Sequence, residues 1–166
     1  MSIAMYKGGW PCYMTIQSGN EGKESQDWTS MLLNMYLGYA KRQGYKTHIE
    51  REVKTDNGYD SVTVRFDGDN VFDHLFNERG VHTLVRRAPH DEEERRFTSF
   101  AAISISRTDG EFNYGDKNSE ARRFRIEDKR IRDLRSGYET DKVEEVLSGD
   151  LNDMISTGNT HELRVV

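Results

Sequence analysis

Apolar side chains at Trp28, Met31, Leu32, Met35, Tyr36 and Tyr39 recur at intervals of three and four, the spacing that lines one face of an α-helix. The pattern predicts a helix over residues 24–42, stopped by Gly44. Ahead of it, residues 12–17 read as a strand, and residues 18–23 form a polar, glycine-containing loop. After it the period changes to two. Ile49 and Val53 in residues 46–54, and Val62, Val64 and Phe66 in residues 61–66, predict two half-buried strands joined by an Asn57-Gly58 hairpin turn. Val71, Phe72, Leu75 and Phe76 predict a short helix ended by Gly80. Residues 81–87 and 97–106 predict two more strands around a charged loop. This order of elements implies an α+β fold, a mixed β-sheet with helices packed on one face.

Between residues 108 and 121 the chain turns to Gly, Asp, Asn, Ser and Glu, with Phe112 and Tyr114 as its only anchors, so this stretch reads as a connector. Beyond it, residues 122–126 predict a strand and residues 130–138 a basic turn. Residues 139–147 and 150–156 predict two short helices that turn Leu147, Leu151, Met154 and Ile155 inward. The last ten residues show no usable pattern.

Length and composition narrow the class. A chain of 166 residues with 34% hydrophobic and 32% charged residues fits one soluble domain. The lone cysteine, Cys12, excludes an internal disulfide, is expected to be buried, and suits a reducing compartment. No apolar run approaches the roughly 20 residues that span a bilayer, so a cytoplasmic location without membrane contact is expected. The net charge of -5 argues against a general basic surface, and any RNA contact must be local. His48, His74, His82, His90 and His161 are scattered without metal-ligand spacing, and no nucleotide-binding or hydrolase signature occurs. Neither a metal site nor a cofactor is expected. The acidic run Asp91, Glu92, Glu93 and Glu94 reads first as a solvated surface.

Three stretches carry a family resemblance. The first is Ile16-Gln17-Ser18-Gly19 with Glu24-Ser25-Gln26-Asp27-Trp28, running into Met31-Leu32 and Met35-Tyr36. The second is Gly80-Val81-His82-Thr83-Leu84-Val85-Arg86-Arg87-Ala88-Pro89-His90, followed by Arg95-Arg96-Phe97-Thr98-Ser99-Phe100. The third is Asp128-Lys129-Arg130-Ile131-Arg132-Asp133-Leu134-Arg135-Ser136-Gly137-Tyr138-Glu139-Thr140. Together, in this order, they resemble the codon-recognition superdomain of bacterial class I peptide chain release factors, of the type that reads UGA and UAA. The resemblance implies a decoding domain over residues 11–107, and a C-terminal segment over 122–157 that completes the superdomain. It also implies that the connector 108–121 stands where the family carries its Gly-Gly-Gln hydrolase domain. The one Gly-Gly pair, Gly8-Gly9, is followed by Trp10. Stand-alone hydrolysis of peptidyl-tRNA, and so enzyme activity, is not expected, since no group would be placed to stabilise its transition state. From the resemblance, no counterpart of the family's N-terminal helical domain is expected.

By the same resemblance, Glu24 takes the place of a codon-proximal glutamate and Thr98 that of a codon-contacting threonine. Phe97 replaces a histidine that stacks on a base, and its ring retains the stacking surface. From the pattern alone Phe97 fits a core strand equally well. Ala88-Pro89-His90 aligns with the family's Ser-Pro-Phe tripeptide, without the serine hydroxyl but with the restraint of Pro89. Arg95 and Arg96 flank it as RNA contacts, opposed by the acidic run before them. Arg130, Arg132 and Arg135 fall in the switch segment. The expected partner is the ribosome, at its A site and mRNA stop codon, where the chain would act as a competitor or regulator of termination. The alternative is a scaffold or half of a split release factor. It would bind a Gly-Gly-Gln protein, or a basic protein through Asp91, Glu92, Glu93 and Glu94.

Overall fold

The computed structural model describes residues 9–116 and 119–165, with side chains to residue 160. Strand β1 (Cys12–Ser18) leads into helix α1 (Lys23–Gln43). The hairpin β2 (Lys46–Thr55) and β3 (Gly58–Asp67) follows, then helix α2 (Val71–Leu75) with a 3₁₀ turn at Phe76–Glu78. Next come β4 (Gly80–Arg87), β5 (Arg96–Ser106), β6 (Glu120–Arg125), β7 (Arg130–Asp133) and β8 (Glu139–Thr140), then α3 (Val143–Leu147) and α4 (Asn152–Val165). The eight strands form one sheet in the order β2-β3-β1-β5-β4-β6-β7-β8. Among its pairs, β4 with β6 is parallel and the others are antiparallel. The fold is the expected α+β class with a mixed sheet.

The periodicity of α1 is realised as burial. Trp28, Leu32, Met35 and Tyr36 are completely buried against Met14, Ile16, Val64, Ile103 and Ile105 of the sheet. Each such side chain contributes about 1.5–3 kcal/mol of transfer free energy. Glu24 in the first turn and Lys41 and Arg42 in the last suit the helix dipole. Gly44 ends the helix in the left-handed conformation, φ 77°, with cap bonds to the carbonyls of Ala40 and Lys41.

Two expected core residues lie outside. Ile49 and Val53 are 40% and 54% exposed, because β2 is an edge strand. A register shift between Ile49 and Arg51 then brings Val53 opposite Ser61, and such a one-residue slip moves a side chain to the other face. Residues 130–138 are also not a simple basic turn. Ile131 is buried between exposed Arg130 and Arg132, the alternation of a strand. Asp133 Oδ1 then accepts from the Arg135 and Ser136 amides at 3.2 and 3.0 Å and closes the turn into β8. Residues 139 and 140 are therefore strand, α3 is shorter than expected, and α4 continues well beyond residue 156.

The C-terminal strands are fastened to the rest by a buried charge cluster that periodicity did not reveal. Arg122 on β6 donates to both Glu78 carboxylate oxygens at 2.7 and 3.0 Å and to Asp133 at 3.0 Å. Tyr36 donates to Glu78 at 2.8 Å. Burial pushes the Glu78 and Asp133 carboxyls up, and the Arg122 guanidinium outweighs it, so both lie below the ordinary range. His82, fully buried, sits with Nε2 2.8 Å from the Glu78 carbonyl oxygen. Burial and then the Arg122 charge lower its pKa to about 4. The His82 carbonyl in turn accepts from the Trp28 indole at 3.0 Å, tying β4 to α1.

Candidate nucleic-acid interface

The loop between β4 and β5 is built by its own backbone. The Asp91 amide donates to the Ala88 carbonyl at 3.1 Å, a turn with Pro89 at its second position, where its fixed φ belongs. A second turn joins the Glu94 amide to the Asp91 carbonyl at 3.0 Å. The Ala88 amide donates to the Arg95 carbonyl at 2.9 Å and closes the loop. Glu94 takes a left-handed φ of 50° to do so. The Asp91 carboxylate binds the Arg95 guanidinium through both oxygens, at 2.9 and 3.1 Å, and also accepts from the Arg95 amide. These Arg95 contacts hold the Asp91 carboxyl down at about 2.

The loop docks on the start of α1. Glu24 Oε1 accepts from the His90 amide at 2.8 Å. The Arg86 guanidinium lies 2.5 Å from Asp27 and 3.6 Å from the other Glu24 oxygen, and His90 Nε2 lies 3.7 Å from Asp27. Glu24 and Asp27, three residues apart, share one helix face. Arg86 pairs with Phe97 across β4 and β5, so both project on the helix-bearing side. Phe97 is 43% exposed, which resolves the choice that pattern left open: it is a surface ring.

The structure thus gathers Glu24, Pro89, His90 and Phe97 at one end of the molecule. Alternation along β5 turns Thr98 to the opposite face from Phe97. Ala88 is completely buried, so its methyl is part of the loop's foundation and not of its surface. Arg95 is engaged by Asp91 and lies 3.5 Å from Glu93, while Arg96 reaches toward Asp128 at 3.8 Å. Glu92, Glu93 and Glu94 are exposed. Arg130 and Arg132 share Glu139, at 2.6 and 3.6 Å. Arg135 instead reaches inward to the Asn77 carbonyl at 3.0 Å. The supporting pair Asp27 and Arg86 was not singled out from the sequence. The acidic i, i+3 pair opening the helix was the available signal. Among the described residues no group of His, Cys, Asp and Glu is arranged to hold a metal ion, and no helix is long and apolar enough to cross a membrane.

A family profile described as the PCRF domain matches residues 7–103. The peptide chain release factor 2 of Bordetella pertussis is 45% identical over 95 residues, 57% of this chain and 26% of that protein. That of Haemophilus ducreyi is 47% identical over the same shares. The chain thus spans about a quarter of the length of these relatives. RF2 of Thermus thermophilus superimposes with a TM-score of 0.85 over 95% of this chain and 69% of its own, at 22% sequence identity, a likeness of fold. With more than half of its residues matched by the PCRF domain, and the release-factor segments seated on the fold they imply, the chain belongs to the PCRF domain family.

Proposed function

We propose that this chain docks at the decoding centre of the ribosomal A site and does not itself hydrolyse peptidyl-tRNA, so that it competes with or regulates termination. The observation that carries the reading is the Glu24 carboxylate bound to the His90 amide. It holds the tripeptide loop against the helix N-terminus beside the exposed Phe97 ring, a charged and aromatic tip suited to unstacked bases. The similarity to proteins named peptide chain release factor 2 supports the same site of action. β5 ends at Ser106 and β6 begins at Glu120, and the intervening segment is too short for a hydrolase domain. In this reading residues 108–121 take the place of that domain.

The test is binding to ribosomes carrying UGA, UAA or a sense codon in the A site, with intact release factor as competitor. Competition with intact release factor is the expected result; confined to stop codons it means codon reading, on every codon it means docking without reading, and no binding at physiological salt overturns the proposal. A second reading, half of a split release factor, is favoured by Phe112. This ring is 56% exposed on the connector and stacked on Tyr114, an apolar contact for a separate Gly-Gly-Gln protein. A basic partner would have to use Glu92, Glu93 and Glu94, because Asp91 is already held by Arg95.

A further inference from the structure

We propose that the face of the sheet turned away from α1 binds single-stranded RNA, with phosphates on an arginine field and one base in a pocket between Phe100 and Tyr114. Leu84, Phe124 and Ile131 point into the core from β4, β6 and β7. Alternation therefore places Arg87, Arg123, Arg125, Arg130 and Arg132 on the other face. The strand register makes them neighbours: Arg87 stands opposite Arg96, Val85 beside Arg125, Arg125 opposite Arg130, and Arg123 opposite Arg132. Adjacent strands lie about 4.8 Å apart, so the guanidinium groups form a continuous field.

The field is under-neutralised. One carboxylate, Glu139, serves both Arg130 and Arg132, at 2.6 and 3.6 Å. Asp128 serves both Arg96 and Arg125, at 3.8 and 4.0 Å. Glu120 binds Arg123 through both carboxylate oxygens and also attracts Arg125, and Glu127 accepts from the Arg87 amide. Among the described residues the Arg87 guanidinium has no ion-pair partner. Six arginines against four carboxylates leave two positive charges in a chain whose net charge is -5, a local reversal of sign. Arginine forks match phosphate oxygens, and counterion release then drives association.

Further along the same face, Phe100, Tyr114, Val81, Ala102 and Gly19 line a cavity of about 310 Å³. Phe100 is 40% exposed there, and Tyr114 is held over it by a 3.2 Å bond to Gln17. An apolar pocket lined by two rings beside a guanidinium field fits a base and its phosphates, whereas an acidic peptide would use only the charges. The base must be free of pairing to enter, which selects a single strand over a duplex.

The inference concerns a face other than the Glu24–His90 tip and goes beyond the decoding proposal. Fluorescence anisotropy of labelled U10 with the full chain, over a series of salt concentrations, tests it. Arg125→Gln with Arg132→Gln is expected to lower the salt slope by about 1.4, about 0.7 for each phosphate no longer neutralised. Phe100→Ala is expected to weaken binding about 5- to 100-fold with the slope unchanged. Lys41→Gln, far off on α1, changes neither. Absence of U10 binding at low salt, an equal effect from Lys41→Gln, or stronger binding of an A-form duplex or of polyglutamate than of U10 each overturns the proposal. Ribosome binding without U10 binding removes this inference alone, and U10 binding without ribosome binding removes the decoding proposal alone.

Discussion

The Arg122 guanidinium grips both carboxylate oxygens of Glu78, and each side chain is only 3% exposed. A charge removed from water in this way is tolerated only while its partner is present. Arg122→Met leaves Glu78 and Asp133 buried without their cation, and the expected loss of stability is about 3–5 kcal/mol. Urea unfolding followed by tryptophan fluorescence measures it. An unchanged midpoint would mean that the cluster contributes nothing net.

His82 makes this region sensitive to acid. Its folded pKa is about 4, whereas the unfolded chain protonates it near 6.5. A depressed pKa contributes stability that is complete above the unfolded value and is lost as pH falls toward the folded one. Stability is therefore expected to fall by about 2–3 kcal/mol between pH 7 and 4.5. The lowered carboxyls of Glu78 and Asp133 add to the loss only once pH falls below their ordinary range near 4. Urea midpoints across this range, for wild type and His82→Gln, provide the check. The variant should lose the upper part of the slope.

Helix α1 crosses the end of α3 at closest approach through Gly38 and Gly149. A Cβ on Gly38 would collide with the Ser148 carbonyl oxygen, and one on Gly149 with the Gly38 backbone. Gly38→Ala forces backbone apart in a packed interface and should cost about 1–3 kcal/mol despite the better helix propensity of alanine. A lowered thermal midpoint would verify this.

Asp91 clamps its loop through Arg95 at the surface. Asp91→Asn is expected to leave global stability almost unchanged, as exposed ion pairs contribute little. It should nevertheless speed tryptic cleavage after Arg95 and Arg96, since the two turns lose their side-chain tie. Digestion time courses by mass spectrometry report both effects.

Phe97 is exposed, so Phe97→Ala should alter the unfolding midpoint little. If the decoding proposal holds, the same change removes a stacking surface and weakens ribosome binding about 5- to 100-fold. Filter binding beside a thermal melt separates the two effects.

What could be read from the chain was mostly what near neighbours decide. The face of α1 from Trp28 to Tyr39, the Gly44 stop and the hairpin near Asn57-Gly58 depend on residues a few positions apart; the first two appear where spacing put them, and the hairpin turn falls one residue earlier, on Asp56 and Asn57, with Gly58 opening β3 opposite Thr55. Residues Arg130 to Asp133 carried a strand's alternation too, but their abundance of charge hid it until Ile131 was seen buried. The arrangement of the candidate site was only half legible: the segments pointed to the loop, while the exposure of Phe97, the burial of Ala88 and the inward reach of Arg135 did not follow from them.

The sequence by itself determined the α+β class, the main helix and most strands, because periodicity and turn chemistry act over short separations, and its three motif segments carried the PCRF relationship as a resemblance. Only the tertiary structure decided that β6 runs parallel to β4, that Val53 turns to the open face, and that Glu78, Arg122 and Asp133 meet in the interior. It also set arginines from four strands side by side on one face. These are contacts between residues tens of positions apart, and their free energies come from burial and charge pairing that exist only once the sheet has closed over its helix.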